Sequence, residues 1–107
     1  MNVWRVAPVL DQPDVVLTDW AIMELPDGDR HFAGYEEQAW QGRASSKIVE
    51  FDEQHMTGTT ASGRVYHLKG PPGLSPDALY VWNMWKQINK VEEAKDISKE
   101  VHESQNQ

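Results

Sequence analysis

At 107 residues the chain is near the common size of one domain, and with 39% hydrophobic residues and a mean hydropathy of −0.66 it has little aliphatic material for a core. Bulk is therefore expected from its five tryptophans, Trp4, Trp20, Trp40, Trp82 and Trp85. A net charge of −7 disfavours a nucleic-acid backbone or an anionic membrane as partner, and the lack of cysteine excludes disulfides, thiolate metal sites and cysteine nucleophiles.

Residues 1–17 mix short apolar pieces with Pro8 and Pro13, which suits an N-terminal arm or edge strand lying along the sheet. They show no basic leader before an apolar run, and no stretch of the sequence has membrane-spanning length, so the cytoplasm is the expected compartment. From Thr18 to Leu25 the alternation reads as a strand with Trp20 and Ile22 on one face and Ala21, Met23 and Leu25 on the other. Pro26-Asp27-Gly28-Asp29 is a turn signal, returning the chain into an antiparallel strand at about 30–37.

Residues 38–45 read as a polar connection, and 46–51 as a third strand. A fourth strand is expected from Thr59 to Lys69, interrupted near Ser62-Gly63 by a bulge or a close backbone approach. Lys69-Gly70-Pro71-Pro72-Gly73 is a rigid hinge, since two prolines remove two backbone donors.

The helix start is the best marked boundary. Ser75 suits the N-cap, Pro76 the first helical position and Asp77 the positive end of the dipole, while Leu74 and Leu79 stand at staple positions. Val81, Trp82, Trp85 and Ile88 then make an apolar stripe that can cover a sheet face. Helix-competent polar sequence continues to about Glu100, which predicts one long C-terminal helix. The expected architecture is thus α+β, with a four- to five-stranded, mostly antiparallel sheet packed on that helix. Residues 1–91 form a single globular domain in this reading, and 92–107 form a polar helical extension with a frayed tail. The expected core draws on Trp20 or Ile22, Val49, Phe51, Tyr66 or Leu68, Trp82 and Trp85.

Two sets of residues are candidates for function. Thr60, Ser62 and Arg64, with His67 nearby, offer hydroxyls and a guanidinium to a small anion, without the glycine and lysine spacing of a phosphate loop. The middle of the chain suits this, because residues 41–75 hold four bases against three acids whereas residues 1–40 hold eight acids against two bases. Tyr80, Met84, Ile88 and Val91 offer an aromatic and aliphatic helix surface to a protein partner or a second copy. His31, His55, His67 and His102 lack ligand spacing, and no nucleophile elbow is present, so neither a metal nor a cofactor is expected and catalysis is disfavoured.

The segments Ser45-Ser46-Lys47-Ile48, Phe51-Asp52, Thr60-Ala61-Ser62-Gly63-Arg64-Val65-Tyr66-His67-Leu68, Gly70-Pro71-Pro72-Gly73 and Tyr80-Val81-Trp82 together resemble a pattern of small uncharacterised bacterial proteins. The resemblance spans about residues 18–86. It implies a bacterial, cytoplasmic domain and carries no activity or site residues with it. The favoured expectation is a non-catalytic protein-interaction or regulatory module binding through the aromatic helix or an uncovered sheet face, with a small-anion binder (or minor enzyme) using Thr60, Ser62 and Arg64, with His67 nearby, as the alternative.

Overall fold

A computed structural model describes residues 13–105, and the first twelve residues of the expected arm lie outside it. The first strand, β1 (Asp14–Glu24), alternates with a change of phase. Val15 and Leu17 point inward, the register shifts between Thr18 and Ala21, and from there Trp20 and Ile22 point inward while Ala21 and Met23 point out. Asp19 absorbs the shift with a left-handed φ of 44°. The two faces read from Thr18–Leu25 are those observed.

This break lets β1 take partners on both edges. It pairs antiparallel with β2 (Arg30–Glu36) and, through residues 14–17, parallel with β5 (Val65–Leu68). Between them β3 (Gln41–Asp52) pairs first with β2 and then with β4 (Thr57–Thr60), and β4 pairs with β5. The strands β1-β2-β3-β4-β5 therefore close on β1, and the sheet expected to be mostly antiparallel is a closed, barrel-like, mixed one in which the β1–β5 pair is parallel. The expected fourth strand is in fact two, β4 and β5, turned at Ala61–Arg64 with Gly63 at φ 91°. The expected connection 38–45 is a 3₁₀ turn (Glu37–Ala39) followed by Trp40 and the opening residues 41–45 of β3.

Val15, Leu17, Trp20, Ile22, Phe32, Met56, Tyr66 and Leu68 fill the interior, with Ile48 and Phe51 packed against them. Gly58 is obligatory here, since a Cβ would come within 2.4 Å of the Phe32 ring. Val49, expected in the core, is exposed, because the register of β3 against β4 shifts between Ile48 and Glu50 and turns it outward.

The helix α1 (Pro76–Ile88) begins as read, with Pro76 at its first position and the Ser75 hydroxyl accepting from the Ala78 amide at 3.2 Å. It lies on the outer face of the sheet. Small residues Ala21, Ala33 and Ala44 receive the Trp82 and Trp85 rings, which stack 4.9 Å apart and only 7° from parallel. Gly42 makes the closest approach, because a Cβ there would sit 2.2 Å from the Asp77 carbonyl oxygen.

The long C-terminal helix is corrected. Asn89 caps α1 and Lys90 turns left-handed at φ 56°, after which the chain returns as a two-residue strand β6 (Lys95–Asp96) on β1 and a second helix, α2 (Ser98–Gln105). The driving force is burial: Ile97 and Val101 join the barrel core, where a straight polar helix would have left them in water. The Ile22 amide donates to the Ser98 hydroxyl, the Ile97 amide donates to the Ile22 carbonyl, and Ser98 in turn donates to Asp96. No helix among the described residues is long and apolar enough to cross a membrane.

Replacing Gly42 with alanine must lift α1 off β3, and urea unfolding is expected to register a loss of about 1–3 kcal/mol. Val49→Ser should stay within about 0.5 kcal/mol of the parent in the same assay; a core-sized loss there would contradict the β3 register.

Candidate functional site

Thr60, Ser62 and Arg64 come together in the β4–β5 turn, but their hydroxyls are occupied by the turn itself. Thr60 Oγ1 lies 3.2 Å from Ser62 Oγ, and the Thr60 amide donates to the Arg64 carbonyl at 3.0 Å. The Ser62 hydroxyl accepts from the Arg64 amide, and the Ser46 hydroxyl accepts from the Ser62 amide. Thr60 and Arg64 are buried. His67 stands apart on the outer face of β5, where Nε2 donates to Asp14 across the parallel pair at 2.9 Å.

The other histidines are likewise dispersed. His55 Nδ1 donates to Asp52 at 2.7 Å in the β3–β4 turn, and this bond holds the Asp52 carboxyl below its ordinary range. His31 is buried under α1, donating from Nδ1 to the Ser45 carbonyl with its ring 4.5 Å from that of Trp85. His102 meets the Trp20 ring edge-on. Among the described residues no three His, Asp or Glu side chains converge as a metal would require.

Sequence reasoning missed the polar centre of the barrel. Arg43 Nη1 donates to Glu36 at 2.9 Å and its Nε to the Tyr66 hydroxyl at 3.2 Å, with the guanidinium 5.7 Å from the Tyr66 ring centre. Both charged side chains are almost wholly enclosed. Desolvation is the largest influence on Arg43 and pulls its pKa down, yet Tyr66 and Glu36 together outweigh it and hold the guanidinium above its ordinary value. This trio joins β2, β3 and β5 and is structural in character. Glu36 and Arg43 carry no local signal of pairing, because the partnership depends on the β2–β3 register.

The outer surface presents a different feature. A groove of about 130 Å³ runs between α1 and the start of β3, lined by Gln41, Gly42, Arg43, Ala44, Val81, Trp85, Ile88 and Asn89. Its walls are mostly apolar and partly enclosed. Beside it Trp40, expected to supply core bulk, is 84% exposed and held at φ 55° where the 3₁₀ turn meets β3. Of the expected interaction residues, Ile88 lines the groove, and Met84 follows Asp77 and Val81 on the same helical stripe. Tyr80 is exposed on another side of the helix, and Val91 lies past its end. A larger depression of about 620 Å³, bounded by Glu24, Leu25, Lys86 and residues 92–95, is polar and broadly open to solvent.

No protein-family model, curated protein or solved structure matches the chain. The groove and its neighbours are therefore interpreted from their own chemistry.

Glu36→Gln should leave Arg43 buried beside a neutral partner and lower stability at neutral pH by on the order of 3 kcal/mol. Adding Arg43→Met should recover only part of that loss in chemical denaturation, since the Tyr66 hydroxyl then loses its donor.

Proposed function

We propose that this chain is a non-catalytic interaction module that docks a protein partner in the groove between α1 and β3. The observation that carries this is size. At about 130 Å³ the groove is well below the roughly 300–1,000 Å³ of small-molecule sites and suits one or two apolar side chains of a partner. Trp40 supplies an aromatic surface next to it, of the kind enriched at interface anchors. The anion-binding alternative at Thr60, Ser62, Arg64 and His67 has less support, because the two hydroxyls already serve the β4–β5 turn and His67 is bonded to Asp14.

Trp40→Ala removes a side chain that is 84% exposed, so its effect on unfolding free energy should stay within about 0.5 kcal/mol. Affinity capture with tagged protein should lose the same partner on Trp40→Ala and on Ile88→Ser, while Val49→Ser and Tyr80→Ala retain it. Retention by both groove variants would refute the reading. A concentration-dependent dimer in sedimentation, abolished by Ile88→Ser, would make a second copy the occupant instead.

A further inference from the structure

We propose that Met56 is an oxidation site, guarded by the Asp52 carboxylate, at which a hydroperoxide converts the thioether to a sulfoxide and unseats the β3–β4 turn from the barrel. The methionines among the described residues differ in what holds them. Met84 is only partly buried on α1. Met23 and Met56 are both enclosed, at 7% and 8% exposure, but by different means. Met23 sits in β1 between ladders to β2 and β6 and packs with Trp82 of α1. Met56 ends the β3–β4 turn (53–56), with its side chain in the barrel core and its backbone left-handed at φ 49°.

One carboxylate supplies three of the bonds that hold this turn. Asp52 Oδ1 accepts from the amides of Gln54 and His55 at 3.0 and 3.3 Å, and Oδ2 accepts from His55 Nδ1 at 2.7 Å. Thr57 Oγ1 donates to the His55 carbonyl, and the Leu68 amide donates to the Met56 carbonyl at 2.9 Å. The Asp52 and His55 side chains are both more than half exposed, so water competes for the bonds between them. Release also relieves the left-handed φ of Met56. Local opening of the turn therefore costs less than parting α1 and β6 from the sheet, and Met56 reaches solvent before Met23 does. In the open turn the sulfur lone pair attacks the hydroxyl oxygen of the peroxide. The S–O bond forms, the O–O bond breaks, and the departing oxygen takes up the hydroxyl proton and leaves as water or an alcohol. The sulfoxide is polar and does not return among Phe32, Phe51 and Tyr66, so oxidation holds the turn open until it is reduced.

Hydrogen peroxide added to the full chain at neutral pH, with peptide mass mapping over time, tests this, and Met84 serves as the accessible reference. In the parent, Met56 should oxidise at least about fivefold faster than Met23. Asp52→Ala should speed Met56 by about a further tenfold and leave Met23 and Met84 unchanged, whereas Asp52→Asn, which keeps an acceptor for the two amides, should fall between. Equal rates at Met56 and Met23 in the parent, or equal acceleration of both by Asp52→Ala, would assign their release to unfolding of the whole chain and overturn the proposal. Peroxide should also raise hydrogen exchange at the Leu68 amide, whose acceptor is the Met56 carbonyl, and the volume-conserving Met56→Leu should abolish that rise. A rise that persists in Met56→Leu would overturn the link between oxidation and the turn.

Discussion

The fold depends on the interruption of β1 at Thr18 and Asp19. A strand without it would keep Val15, Leu17, Asp19 and Ala21 on one face, placing a carboxylate inside and Trp20 outside. With Asp19 in the left-handed region, the inward set passes from odd to even positions, and Leu17, Trp20 and Ile22 share one interior. The bend also separates the halves of the strand, so that β5 runs parallel to the first while β2 and β6 flank the second. The Gly/Pro hinge supports this corner: the Trp20 indole donates to the Gly70 carbonyl at 2.9 Å, the Gly73 amide donates to the Trp20 carbonyl, and a Cβ on Gly73 would press on Asp19.

Closure then determines where the helix can sit. Because the large apolar residues of β1 and β2 face inward, their outer faces present alanine, and a helix carrying two tryptophans fills the space that alanine leaves. A second irregularity serves the same end. Where the β2–β3 register shifts, the Ser45 hydroxyl accepts from the Phe32 amide at 2.8 Å and takes the place of a ladder carbonyl. Helix and β3 come close at Gly42, and the groove lies between them, bounded by residues 41–44 on the strand and by Val81, Trp85 and Ile88 on the helix.

Local features of the sequence were therefore legible and long-range ones were not. The faces of residues 18–25, the turn at Pro26–Asp29 and the start of α1 follow from alternation, φ preference and capping, which act within a few residues. The barrel was illegible because its three register shifts carry no strong local mark: Asp19, Ser45 and Val49 are ordinary strand or loop residues until their partners are known. The end of α1 was hidden for a related reason. Residues 89–100 are competent to continue the helix, and only the interior that receives Ile97 and Val101 makes turning back favourable. Of the proposed surface, Ile88 and Met84 can be read from helical spacing, whereas residues 41–45 of β3 opposite the helix read locally as a polar connection.

Trp40 remains the residue that fold stability explains least. Among the described residues four that are not glycine have positive φ, and three of them serve the chain path: Asp19 at the β1 break, Met56 in the β3–β4 turn with its carbonyl accepting from Leu68, and Lys90 at the end of α1. A left-handed conformation favours glycine or asparagine, and for a bulky side chain it is a cost that burial normally offsets. Trp40 gains almost no burial. In a chain with so little apolar material, leaving the largest side chain in solvent at an unfavourable φ violates two local preferences at one position. Such conflicts concentrate where a surface is kept for something other than stability, and here the position adjoins the most enclosed apolar groove described on the molecule.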